Sequence, residues 1–102
     1  MFHHYIKSLC LAISILFVVG LTQAVEITQG AMLGNSCAAC HGTGGKSPGS
    51  IPSLQGKSAE FILKALTEFR DGSRASTVMG RHASGYSDAE IKQIAEFFAA
   101  QK

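Results

Sequence analysis

Tryptophan is absent from the sequence, and aromatic residues make up only 8% of it. A chain with so few large rings has little material for a core of its own, and the segment after the N-terminal leader is short enough that apolar burial alone would be marginal. Charge is nearly balanced, at a formal +2. Such a balance suggests no nucleic-acid or polyanion-binding role. No Ser/His/Asp set, phosphate-cradling glycine loop or metal-hydrolase spacing occurs, and no internal repeat is visible. Strand patterns alternating with helices, which a dithiol oxidoreductase would need around a Cys-x-x-Cys, are also missing.

Long apolar runs are restricted to one place. Leu9 to Leu21 is almost continuously apolar, preceded by Lys7, His3 and His4 and followed by Thr22-Gln23-Ala24. The run falls short of the ~20 residues of a spanning helix. With small residues at the positions a signal peptidase reads, residues 1–24 resemble a cleaved secretory leader, and 25–102 form the mature domain. An uncleaved anchor is the alternative. Cys10 is inside the run behind a leucine, which argues against a lipoprotein anchor. The expectation is export to the periplasm, with no stable membrane insertion once the leader is removed.

Two cysteines remain, and their placement carries the chemistry. Cys37-Ala38-Ala39-Cys40-His41 puts two thiols and an imidazole on one turn of chain. A disulfide between Cys37 and Cys40 would close almost no loop and stabilise little. Thioether bonds to the vinyl groups of one haem are a better use, with the adjacent His41 as proximal iron ligand. A single such motif implies one covalent haem c. Setting Lys7 aside leaves eight basic residues against seven acidic ones; two haem propionates would take the total to about −1, again with no nucleic-acid role indicated.

Around the motif the chain reads as helices joined by loops. Residues from Glu26 to Ser36 suggest a first helix with Thr28 as N-cap, Met32 and Leu33 as apolar positions, and Gly30 and Gly34 as weak helix formers. From Gly42 to Gly56 the residues are those of turns, yet Ile51, Pro52 and Leu54 suggest a loop folded back on an apolar surface. Ser58 caps a second helix that ends before Gly72, its apolar face made of Phe61, Ile62, Ala65, Leu66 and Phe69. Ser73 to Gly85 reads as a polar loop holding Val78 and Met79. Ser87-Asp88-Ala89-Glu90 is a capping box opening a last helix with a stripe of Ile91, Ile94, Ala95 and Phe98, flanked by Phe97.

These features together resemble a class I c-type cytochrome over nearly the whole mature chain. Within that class, Ala75 to Arg81 with Gly85-Tyr86-Ser87 is similar to the small cytochrome subunit of flavocytochrome c sulfide dehydrogenase. The resemblance implies an all-α fold of three main helices and loops around one covalently bound haem. It implies that the first and last helices cross where Gly30 meets Phe97, and that the Pro52 carbonyl accepts a hydrogen bond from His41. It also implies Met79 as distal iron ligand, with Met32 and His82 as the alternatives. The chain is short after its last helix, so no second haem domain is expected.

The function expected is electron transfer, not catalysis, because His/Met ligation closes the iron site and a soft thioether favours the ferrous state. The resemblance implies a flavoprotein sulfide dehydrogenase subunit as partner. A freely diffusing carrier serving an oxidase or reductase, and a haem enzyme or gas binder with an open sixth position, are the other readings. Lys46, Lys57 and Arg81 lie in loops that could border a docking surface.

Overall fold

A computed structural model describes residues 27–102. The leader assigned to 1–24 and the first residues of the mature domain lie outside the described residues. Five α-helices and one 3-10 turn follow in order: α1 (Gln29–Gly34), α2 (Ala38–His41), the turn Thr43–Gly45, α3 (Ala59–Asp71), α4 (Met79–Ala83) and α5 (Asp88–Ala99). No strand occurs among the described residues.

The helices start where side chains can satisfy their first amides. Thr28 Oγ1 accepts from the Ala31 amide at 3.2 Å and Ser58 Oγ from the Phe61 amide at 3.1 Å. At α5 the capping box is complete. Ser87 Oγ accepts from the Glu90 amide at 3.2 Å, and the Glu90 carboxylate accepts from the Ser87 amide at 2.8 Å. Two orphan donors are thereby satisfied reciprocally, which pins the first turn of the most buried helix.

Helix α5 is the centre of packing. Ile91, Ile94, Ala95 and Phe98 are buried along one stripe, and Ile62 from α3 completes the core with Ile94, Ala95 and Phe98. Leu33, Leu54, Leu66, Tyr86 and Phe97 pack around that cluster. Helix α1 lies against α5, α3 lies against both α5 and α4. Phe97 and Phe98 meet edge to face with centroids 5.0 Å apart, a favoured arrangement of ring quadrupoles.

Gly30 is where α1 meets α5. A Cβ there would lie 2.7 Å from the Gln93 carbonyl oxygen and 3.2 Å from Phe97 Cβ, and one at Gly34 would be 2.9 Å from the Phe97 ring. The two glycines, four residues apart, therefore form one contact face. This corrects the expected apolar face of the first helix. Met32 is two residues, about 200°, round from Gly30; it is 62% exposed, whereas Leu33 packs on the core. The face expected on α3 is also narrower than its sequence suggests: Ile62 is buried, but Phe61 is exposed, with the Lys57 ammonium 5.5 Å over its ring.

The segment from Ser73 to Gly85, expected as a loop, contains the five-residue helix α4 with Met79 as its first residue. Too short to show periodicity, it is stabilised by its surroundings. Ala83 is fully buried, and Ser76 Oγ accepts from the Gly80 amide at 3.0 Å. The turn-rich stretch after His41 likewise holds one 3-10 turn.

Candidate haem site

One helical turn builds the thiol and imidazole set. The Cys37 carbonyl accepts from the amides of Cys40 at 3.3 Å and His41 at 2.9 Å. Neither cysteine is in a disulfide; Cys37 is half-buried and Cys40 exposed. Burial pushes the Cys37 thiol up, against a smaller opposing effect from the Ser36 hydroxyl.

Chain geometry then brings Pro52 to the imidazole. Gly42, at φ 88°, turns the chain so sharply that a Cβ there would lie 1.9 Å from the Lys46 carbonyl oxygen. Only glycine fits this turn without strain. The Gly45 carbonyl next accepts from the amides of Leu54 at 2.8 Å and Gln55 at 3.0 Å, and Ser53 Oγ accepts from the Ser47 amide at 2.9 Å. That clasp folds the intervening loop back on itself. Pro52 O comes within 2.6 Å of His41 Nδ1. A carbonyl oxygen only accepts, so Nδ1 carries the proton and the Nε2 lone pair is left for a metal.

Cys37, Cys40, His41 and Pro52 thus form one local unit, while Met79 belongs to another. Met79 is half-buried at the start of α4, a helix held by the bond from the Gly80 amide to Ser76 Oγ and by the packing of α4 on α3. The approach to it is clamped as well: Arg74 donates to Glu68 Oε2 at 2.6 and 2.9 Å and lies 5.4 Å over the Phe69 ring. His82, one turn beyond Met79, is exposed, as is Met32 on α1. Lys46, Lys57 and Arg81 are exposed and make no ion pair among the described residues.

Two features were missed by sequence reasoning. Ser36 Oγ and Tyr86 Oη are 3.0 Å apart, joining the residue before Cys37 to the segment between α4 and α5. Arg70 donates to the Tyr86 carbonyl at 3.3 Å and to Asp88 Oδ1 at 2.5 Å. No periodic signal marks either contact, because the partners are far apart in the chain.

The donor set fits haem c: two unpaired thiols on one turn, an oriented imidazole with a free nitrogen, and a thioether at the start of a short packed helix. Such a site in an all-helical fold defines a c-type cytochrome, an electron-transfer protein. The chain belongs to the cytochrome c family, whose model matches residues 27–102. It carries one covalently bound haem c at the Cys37–Cys40 motif. Among known proteins it is 58% identical over 74 residues to the cytochrome subunit of sulfide dehydrogenase from Chlorobaculum tepidum, covering 72% of this chain and 67% of that protein. It is 40% identical over 67 residues to the thiosulfate dehydrogenase electron acceptor of Stutzerimonas stutzeri, covering 62% of this chain and 31% of that one. The solved structure of Acidithiobacillus ferrooxidans cytochrome c4 matches with a TM-score of 0.64 at 24% identity, over 76% of this chain and 52% of the other, and supports the fold.

Proposed function

We propose that this chain is the haem subunit that accepts electrons from a sulfide-oxidising flavoprotein in the periplasm, after export and removal of residues 1–24. The observation that carries the reading is the 58% identity to a cytochrome subunit of sulfide dehydrogenase. Bound haem supplies a one-electron ferric/ferrous couple. Cys37 and Cys40 hold it through thioethers. His41 ligates through Nε2 while Pro52 fixes its ring, and a carbonyl on Nδ1–H raises the donor strength of the imidazole. Met79 ligates through sulfur and, as a soft donor, favours the ferrous state. His41 and Met79 would both stay in place in either oxidation state, so the site would transfer charge without an open position for a substrate. No described helix is long and apolar enough to cross a membrane.

Mixing the ferric holoprotein with a sulfide dehydrogenase flavoprotein tests the partner. On adding sulfide, a stable complex should form and the ferrous haem bands should grow at a rate set by the flavoprotein. Absence of both complex and reduction would refute the reading.

A second reading is supported by the likeness to a thiosulfate dehydrogenase electron acceptor. On it, the protein diffuses freely and takes electrons from a different sulfur-oxidising enzyme. Reduction by thiosulfate through such an enzyme, without a complex that survives gel filtration, would favour this alternative.

A further inference from the structure

Tyr86 connects the segment of Cys37 to the segment of Met79 across the core. Its amide donates to the Ala83 carbonyl at 3.2 Å, closing the turn that leaves α4, the helix of Met79. Its carbonyl accepts from Arg70 at the end of α3. Its ring is half-buried against the Ile62, Ile94, Ala95 and Phe98 core. Its hydroxyl reaches Ser36, the residue before Cys37. Ser36 Oγ also lies 3.3 Å from the Leu33 carbonyl, which can only accept. With the serine proton on Leu33, Tyr86 is the donor to Ser36.

Among the hydrogen bonds between described side chains, this one alone ties the approach to the haem turn to the segment leaving the Met79 helix. The iron is placed by the Cys37–His41 turn, and a methionine sulfur is a weak ligand whose bond depends on how its own segment is held. We propose that Tyr86 is a positioning residue for the distal ligand, acting through the Ser36 hydrogen bond to keep α4 at the spacing at which Met79 reaches the iron. This rests on the assignment of Met79 as distal ligand. Packing of the ring would remain in a phenylalanine variant, so the hydroxyl's part is separable from the core's.

The test uses ferric holoprotein: wild type, Tyr86→Phe, Ser36→Ala and the double variant, each first shown to hold full haem and native helix content. Imidazole is titrated in, and its displacement of Met79 is read from the Met-to-iron charge-transfer band. A lost neutral hydrogen bond at a partly exposed site predicts apparent imidazole affinity about two- to fivefold tighter in each single variant. The double variant should be no tighter than either single one, because both remove the same bond. Affinity unchanged from wild type in the single variants, or effects that multiply in the double one, would overturn the proposal while leaving Met79 as ligand. A wild-type protein with no such band would instead overturn the Met79 assignment, and the proposal with it.

Discussion

His41 Nδ1 and the carbonyl oxygen of Pro52 are 2.6 Å apart, although eleven positions separate them along the chain. The contact depends on the Gly42 turn and the Gly45 clasp, which return the loop to the imidazole. Pro52 contributes a carbonyl and also a fixed φ. Pro52→Ala keeps the carbonyl and frees the backbone of the unfolded chain. Stability should fall by about 0.4–1 kcal/mol, while the low-spin ferric spectrum is retained. Urea unfolding followed at the haem band measures the first, and a spectrum taken without urea checks the second.

Gly30→Ala sets two effects against each other. Alanine favours a helix over glycine by up to ~1 kcal/mol. The new Cβ would stand 2.7 Å from the Gln93 backbone oxygen, and main chain cannot swing aside as a side-chain tip does. Forced separation of packed elements costs about 1–3 kcal/mol, so the clash wins and the variant is less stable. Gly49→Ala is the control, since nothing lies within 4 Å of its Cβ position. Its unfolding free energy should stay within about 0.5 kcal/mol of wild type. Equal stability of the two variants would count against a close crossing at Gly30.

Met79→Ala should abolish the Met-to-iron charge-transfer band, lower the reduction potential and open the ferrous protein to rapid carbon monoxide binding. His82→Ala should change none of these, because His82 is exposed on α4. Absorption spectra and redox titration of both variants decide between the residues. If the His82 variant loses the native spectrum and the Met79 variant keeps it, the assignment reverses.

Residues whose neighbours lie close in the chain were legible before the structure. Thr28, Ser58 and Ser87 cap helices through bonds three residues long, and the Ile91, Ile94, Ala95 and Phe98 stripe follows the helical period. The two longer helices were likewise readable from period and the haem from one five-residue motif, whereas the all-helical fold as a whole was what the resemblance implied. Met32 misled because two turns of helix contain too few apolar positions to define a face; the small residues Gly30 and Gly34 define it instead. Helix α4 was read as a loop because its five residues carry no period, and its stability comes from Ser76 and from packing on α3. The Ser36–Tyr86 bond spans fifty positions. Nothing local announces such a pairing.

The entry to α5 is held by two devices of different strength. Ser87 takes part in the capping box, whereas Asp88 forms an ion pair with Arg70 and is 89% exposed. Loss of a cap leaves an amide without its partner and costs about 1 kcal/mol. An exposed ion pair gains little in water, is screened by salt and requires two side chains to be ordered. Ser87→Ala should therefore destabilise the holoprotein more than Asp88→Asn, and only the latter difference should shrink in high salt. The pH dependence follows from Arg70, whose guanidinium is held above its ordinary value chiefly by the hydrogen bond to Asp88. A cation whose folded-state pKa is raised stabilises fully below its unfolded value, and that contribution is lost only as pH rises through the folded one. Both values lie far above neutrality, so the protonation of Arg70 adds no slope between about pH 6 and 9. Urea midpoints for Asp88→Asn and wild type should keep a constant separation across that range; a separation that changed with pH would show that another titrating group depends on the pair.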